Sequence, residues 1–425
     1  MKQRNSLKTK KTNIAILCTL SWAGGTELLR LFVTALVKKS SLNPISIKLF
    51  FHAPNPSFKS KIKLYIKKLI RYTPPTSQFL NHKQMLDYFQ EISPEKITFV
   101  TYNHQDNLKQ SLSDNKIDVV LPLMSPPPND HTTPWVGYIF DFQHKYLPHL
   151  FSKEERIARD NGFLSLIKKA PAIIVNAKTV KTDIIKQFPQ QDHTKIFTLP
   201  FAPIAPQNWL TYSSNTVLQK YNITNPYFII SNQFWVHKSH ETAFKALKIL
   251  HMQYQHTGIH LVCTGHTYDY RQPTYFDQLQ KKIEQLGLTE KIHILGHIPK
   301  KDQIALLKQS IALLQPTLFE GGPGGGSTYD AVALGVPAIV SAIPVNKEIS
   351  AERLFFFEKE NAHGLAKKMA SILEKSPTKA TIEELIKIRE ASCEKLGIAL
   401  LQAISFALVS HNKRRDLYDA KQKQS

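Results

Sequence analysis

Cysteine, acidic side chains and long apolar runs are all in short supply in this chain. Its three cysteines, Cys18, Cys263 and Cys393, lie far apart, and neither a CxxC pair nor a metal-ligand spacing connects them. That excludes a disulfide framework and predicts reduced thiols, buried as small hydrophobes, in a cytosolic compartment. No apolar run reaches the roughly 18 residues that mark a membrane-spanning helix; residues 396–409 are too short and are broken by Gln402. Only 33 Asp and Glu face 55 Lys and Arg, so the formal charge is +22 and the pI near 9.6. An excess of that size implies a polyanionic partner, be it nucleic acid, an anionic membrane surface or a phosphorylated glycolipid. The 425 residues, 42% of them hydrophobic, suit two domains of about 200 residues, each with its own core.

Glycine is scarce as well, yet six of the 16 glycines fall within residues 314–348, LQPTLFEGGPGGGSTYDAVALGVPAIVSAIPVNKE. Gly321, Gly322, Gly324, Gly325 and Gly326 allow positive φ and close approach of a ligand to the backbone. An apolar run at 311–319 predicts a buried strand before them. Ser327 or Thr328 can cap a short helix ending at Gly335, and a second apolar strand is expected at 336–342. A strand, a glycine loop and a helix N-terminus make an anion site, because free N–H groups and the positive dipole end converge there. The spacing of Gly321, Gly326 and Ser327-Thr328 approaches the P-loop but lacks its Lys, which points to a nucleoside diphosphate without Walker-type Mg-ATP chemistry. The alternative is a glycine-rich surface turn with no ligand. Glu320 before the loop and Asp330 in the helix's first turn are expected to line one pocket with the phosphate between them.

The remaining chain alternates strands and helices twice over, which predicts an α/β fold with two doubly wound parallel sheets. A strand at 14–18, a tight turn at Gly24-Gly25 and an amphipathic helix at 26–38 open the first domain. The basic start followed by Ser21-Trp22-Ala23 imitates a signal peptide, but those same residues complete this opening unit. A nicotinamide dinucleotide site is rejected, because the GxGxxG is incomplete and the second strand, at 46–52, ends without an acidic residue. Residues 28–86 hold eleven Lys or Arg and no Asp or Glu. Within them, 58–72 reads as a helix with Phe58, Ile62, Tyr65, Ile66, Leu69 and Tyr72 on one face and Lys59, Lys63, Lys67, Lys68 and Arg71 opposite. Such a helix either lies on an anionic membrane or packs its apolar face inward. Further strands are expected at 97–101, 117–123 and 172–176. Another apolar strand runs into Asp141, Gln143 and His144 and aims them at the crevice between domains. Residues 197–214 read as the linker, and a second α/β series starts at 227–231.

The glycine stretch resembles the signature of GT-B glycosyltransferases of family 4, with Phe319-Glu320-Gly321 at its start and Asp330-Ala331-Val332-Ala333-Leu334-Gly335-Val336-Pro337 at its end. Asp replaces the family's second Glu and the spacer is two residues longer. Trp22-Ala23-Gly24-Gly25-Thr26-Glu27 resembles the family's first loop, and Phe142-Gln143-His144 its acceptor-side loop, although Phe140 stands where many relatives carry His. The resemblance implies that Glu320 meets the donor sugar, Asp330 the ribose and the backbone near Ile298 the base, with Gly25 and Gly265 also at the donor. Lys238 would grip the diphosphate, while Gln233 occupies the place of the family's Arg. It also implies two Rossmann-like domains facing a cleft and a C-terminal helix crossing back to the first.

The expected organisation is therefore a basic arm at 1–11, an acceptor domain at 12–206, a nucleotide-sugar domain at 207–395 and a C-terminal helix and tail at 396–425. The expected activity is transfer of a mannose- or other hexose-type sugar to a glycan or lipid-linked acceptor in cell-envelope polysaccharide or lipopolysaccharide synthesis, with retained configuration. Glu320, Asp141 and His144 are the candidate catalytic residues. The resemblance also implies that no metal is needed, which fits the absence of any DxD or His/Asp ligand cluster, and no cofactor is expected because the nucleotide sugar is a substrate. The protein is expected at the inner face of the cytoplasmic membrane. A nucleotide-sugar epimerase on the same frame is the alternative enzyme. A nucleic-acid-binding protein is the alternative of another class; it lacks any RRM, helix-turn-helix or zinc signature.

Overall fold

The computed structural model describes residues 11–18, 23–52, 89, 96–102, 105–212, 216–375, 378 and 380–422. The expected basic helix at 58–72, the basic arm up to residue 10 and Trp22 lie outside them. Seven parallel strands form the first sheet: β1 (Thr12–Leu17), β2 (Ile45–His52), β3 (Ile97–Tyr102), β4 (Val119–Leu123), β5 (Trp135–Ile139), β6 (Ala172–Val175) and β7 (Ile196–Thr198), in the order β3-β2-β1-β4-β5-β6-β7. Six more form the second: β8 (Tyr227–Ser231), β9 (His260–Thr264), β10 (Ile292–Gly296), β11 (Leu313–Gln315), β12 (Ala338–Ser341) and β13 (Leu354–Phe357), in the order β10-β9-β8-β11-β12-β13. The central strands are nearly continuous apolar runs because helices cover both faces of a parallel sheet. Ile14, for instance, pairs with Ile47 on one side and Val119 on the other and is wholly buried. In each sheet the winding reverses at one place, between β1 and β4 and between β8 and β11. Ligands bind beyond the strand ends at such reversals.

Four local expectations are corrected. Gly24 and Gly25 belong to the first turn of the helix Ala23–Ser40 rather than to a separate turn. The run at 311–319 contributes only three residues to a strand, because the chain must leave the sheet early to build the loop. Phe197 lies in edge strand β7 and not in a linker. The helix after the glycines starts at Gly325, capped by Gly324 with φ 71°, so Ser327 and Thr328 lie inside it and cap nothing. Left-handed φ at Gly324 and, at 65°, Gly325 turns the chain into the helix three residues sooner than a cap at Ser327 would.

One helix, Ile382–Gln422, runs from the second domain to the first. Leu385 packs in the second core, while Cys393, Leu396, Leu400, Ala403, Ile404 and Ala407 complete the first; the division expected at 396 falls inside it. It lies against the helix Ala23–Ser40 at Gly397, where a Cβ would come within 2.6 Å of Lys39 Cγ and 3.2 Å of Ala35 O. Lys39 is paired with Glu394 beside that contact. Contrary to expectation, Ile382–Lys413 is long and apolar enough by length and composition to cross a membrane, with a mean hydropathy of 1.5 over its most apolar window. Its apolar side instead fills the first core. Cys18, Cys263 and Cys393 are free and buried.

Candidate active site

Strand β11 ends in Gln315, which is completely buried. Its amide uses both ends. Nε2 donates to Glu320 Oε1 at 3.0 Å and to Gly324 O at 2.8 Å, and Oε1 accepts from Asn232 Nδ2 at 2.8 Å and Ser327 Oγ at 3.0 Å. One side chain thus fastens the loop after β8, the glycine loop and the helix Gly325–Ala333 together. The turn after β12 adds Asn346, which accepts from Gly324 N at 2.8 Å and donates to Ser341 O at 2.9 Å. Thr328 Oγ1 donates back to Gly324 O at 2.7 Å. A Cβ at Gly325 would meet Glu320 Oε2 at 2.9 Å, so the site needs glycine for space as well as for φ. Gly326 is exposed, with open space where its Cβ would be. The helix's first-turn amides, which have no partner within a helix, are presented there.

Lys238, at the end of the turn Val236–Lys238, places Nζ 2.7 Å from Glu320 Oε1, with both side chains about nine-tenths buried. The two expected donor-site residues are brought together, and the pair sits at the positive end of the glycine-loop helix. Leu318 N donates to His237 O at 2.8 Å and holds the two loops in register. Gly265 lies flat on this structure, since a Cβ would stand 2.1 Å from Asn232 O and 2.9 Å from Gln233 N. Gln233 itself is half-buried and accepts from Trp235 N at 2.8 Å. The Ile298 side chain packs in the second core, leaving its backbone for any ligand.

Asp330 lies in the helix's second turn, not the first, and is set apart from Glu320 by its partners. Lys300 Nζ is 2.5 Å from Asp330 Oδ2, so each acid has a lysine of its own. Burial raises the Asp330 pKa, Lys300 opposes the rise and Glu27 adds to it. Glu27 and Arg30 come from the helix that carries Gly25, 2.9 Å from each other. Trp209 is packed between Arg30, 5.5 Å from its ring centroid, and Lys300, 5.4 Å from it. Asp330 therefore belongs to a network shared by both domains.

The first domain brings Asp141 to the glycine loop. A Cβ on Gly321 would lie 2.7 Å from Phe140 O and 2.9 Å from Asp141 Cβ. Asp141 Oδ1 accepts from Gln143 N at 2.9 Å and from Arg159 at 2.5 Å. Arg159 lies among Phe140, Phe151 and Phe163, 4.9 to 5.6 Å from their centroids. His144 is almost wholly buried against Phe142, Phe151 and Phe163, with Nε2 2.8 Å from Asp160 Oδ1. Burial lowers its pKa, against the pull of Asp160. Its contacts hold the segment after β5 against the helix Lys153–Lys169. Asn176 donates to Tyr138 OH at 2.6 Å and abuts Gly322, and its buried Oδ1 has no hydrogen-bond partner among the described residues.

Two contacts that spacing did not suggest join the domains. Glu348 accepts from Lys178 N at 2.8 Å, Thr179 N at 2.7 Å and Thr179 Oγ1 at 2.5 Å. It caps the helix Lys178–Gln187, whose own N-cap, Ala177, has no side-chain oxygen. Arg271, held by Asp269, reaches Gln143 Oε1 at 3.4 Å and lies 5.1 Å from the Trp235 ring. Among the described residues no group of three or more His, Cys, Asp or Glu could hold a metal ion.

Residues 216–389 match the family model described as glycosyl transferases group 1. No curated protein matches the sequence. Among solved structures, the fold is similar to a glycosyltransferase from Rickettsia africae, with TM-score 0.58, 15% identity and 98% and 100% of the two chains covered. HepE of Anabaena, solved with UDP and glucose, gives TM-score 0.58 and 14% identity over 93% and 99%. A putative UDP-N-acetylglucosamine 2-epimerase from Listeria monocytogenes gives 0.52 and 15% over 93% and 96%. The frame is common to all three, and the family match covers the domain that carries Lys238, Glu320 and Asp330. The second domain thus matches the model of the glycosyl transferases group 1 family, and the chain as a whole has the GT-B fold of two parallel-sheet domains.

Proposed function

We propose that the protein transfers a hexose, with retention and without a metal, from a nucleoside diphosphate sugar to a glycan or lipid-linked acceptor of the cell envelope, working on the inner face of the cytoplasmic membrane. The observation that carries this reading is the buried cluster of Lys238, Gln315 and Glu320 at the N-terminus of the glycine-loop helix, with Asp141 against the same loop. In the reaction the bond from the anomeric carbon to the phosphate oxygen breaks, a bond to an acceptor hydroxyl oxygen forms, and the hydroxyl's proton passes to the departing diphosphate. Negative charge grows on the leaving diphosphate, and Lys238 and the first-turn amides stabilise it there. Glu320, adjacent to Lys238, accepts hydrogen bonds from the sugar hydroxyls. Asp330 holds the ribose. The chain's charge of +22 supports an anionic surface as the place where the acceptor is met.

The test is a thermal-shift screen against UDP, GDP, ADP and their sugars, because a ligand that binds only the folded state raises its stability by mass action. A shift with one nucleotide class names the donor. No shift with any of them sinks the reading, and conversion of the nucleotide sugar without an acceptor would make the protein an epimerase.

A further inference from the structure

From Leu396 to Asn412 the crossing helix carries no Asp, Glu, Lys or Arg, 17 residues without a charge in a chain of which 21% is charged. At 1.5 Å per residue that is about 25 Å of helix. One side packs into the first core. A surface helix turns polar residues to the other side, yet Ile398 and Val409 stand there, 43% and 55% exposed. Only 44% of the most apolar 18-residue window is buried, so its apolarity exceeds what the core takes up. Ile398 and Val409 share one stripe with Gln402 and Ser405, flanked by half-buried Leu401 and Phe406. Phe197 of β7 meets the Phe406 ring at 5.4 Å, and Lys39 and Asn43 close the far side, leaving an open groove of about 810 Å³.

We infer that this groove is a docking surface for an anionic lipid bilayer, with acyl chains over Ile398, Leu401, Phe406 and Val409, an inference that deepens and rests on the membrane assignment proposed above. Contiguous apolar surface rimmed by polar residues marks an interaction site, and the charge at its border selects the partner. Lys395 and Lys413 are exposed at the two ends of the uncharged stretch, and Arg414 and Arg415 follow in the sequence. The acids nearby are opposed by lysines of the helix Ala23–Ser40: Glu390 lies 3.8 Å from Lys38, and Glu394 pairs with Lys39. The border is therefore basic. A helix that is apolar along its middle and carries lysines at its ends lies in the plane of a membrane interface, its apolar side among the acyl chains and its ammonium groups at the phosphates. A second copy of the chain suits the groove less well, because docking would bring together two bodies each of charge +22. A nucleic acid suits it less well too, because its phosphates would lose water against the apolar stripe. An anionic bilayer satisfies the stripe and its border together.

The experiment uses the full chain at low salt with liposomes of mixed phosphatidylglycerol and phosphatidylcholine. It compares the wild type, the double variant Ile398→Ser with Val409→Ser, and Val409→Cys carrying a polarity-sensitive fluorophore. The native Cys18, Cys263 and Cys393 are buried, so the label goes to position 409. The double variant should bind the liposomes about tenfold more weakly at an unchanged melting temperature. The label should shift to the blue on the liposomes and be quenched by brominated acyl chains. Should the double variant melt early, the label alone decides. Wild-type affinity in a folded double variant, or a label that does not respond to liposomes the protein binds, would overturn the inference while the membrane assignment stands. A label already shifted without lipid, in a protein that sediments as a dimer in the ultracentrifuge, would also overturn it and give the groove to a second copy. A wild type that ignores anionic liposomes would bring down the inference and the membrane assignment together.

Discussion

Lys238 and Glu320, 82 residues apart, form an ion pair of 2.7 Å inside the protein. Burying two charges is costly, and removing one partner strands the other. Lys238→Met should therefore lower the melting temperature as well as weaken nucleoside diphosphate binding about tenfold. Adding Glu320→Gln should return part of the lost stability but none of the affinity. A double-mutant cycle in urea measures the coupling; strictly additive effects would show that the pair does not act as a unit.

Glu320→Gln alone keeps the shape of the cluster while removing its charge. Transfer should be lost and nucleoside diphosphate affinity kept, because the sugar is its partner. A variant that transfers normally but no longer binds the diphosphate would reverse that assignment.

Glu348 supplies a helix cap from one domain to the other. Glu348→Ala should cost about 1 kcal/mol, read by chemical unfolding, and Glu348→Gln less, since an amide oxygen still accepts from Lys178 and Thr179. No loss in the alanine variant would mean that water replaces the carboxylate without penalty.

His240 is wholly buried and stacked on Phe234 at 4.2 Å, and neither ring nitrogen has a hydrogen-bond partner among the described residues. Burial first, and then Lys238, lower its pKa from 6.5 to about 3. Between those values the unfolded chain holds a proton that the folded one does not, so stability falls as pH drops below about 6.5 and keeps falling toward 3. His240→Phe should stabilise the protein, and by more at pH 5 than at pH 8. An equal gain at both would refute the titration.

The basic helix expected at 58–72 makes a prediction independent of the site. The protein should sediment with anionic liposomes at low salt, release near 1 M salt, where the Debye length is about 3 Å, and ignore neutral ones. Reversing Lys59, Lys63, Lys67 and Lys68 to Glu should abolish sedimentation and spare nucleotide binding. Tight binding of a nucleic-acid duplex at physiological salt, with no liposome binding, would reassign the charge.

Both sheets were legible because buried parallel strands write themselves as apolar runs, and the meeting of Glu320, Lys238 and Asp141 at the glycine loop was legible through the motifs that resemble the family's. Gln315, Asn346 and Glu348 were not. Each looks like an ordinary polar residue at the edge of an apolar stretch, and its partners lie up to 170 residues away, beyond any periodicity. The Asp330–Lys300 pair was hidden for the same reason. Reading Ser327 and Thr328 as caps failed because left-handed glycines, which carry no side-chain signature, had already started the helix.

The helix that crosses back over the first domain gives the chain an order in time. Ile14, Phe32 and Leu36 share their core with Leu396, Leu400 and Ile404, residues that leave the ribosome only after the whole second domain. Domains of a growing chain usually fold first to last. Here the first must wait with one wall open while the second closes, and a chain ending at residue 380 should fold its second sheet yet leave the first loose, prone to proteolysis and to sticking to its neighbours.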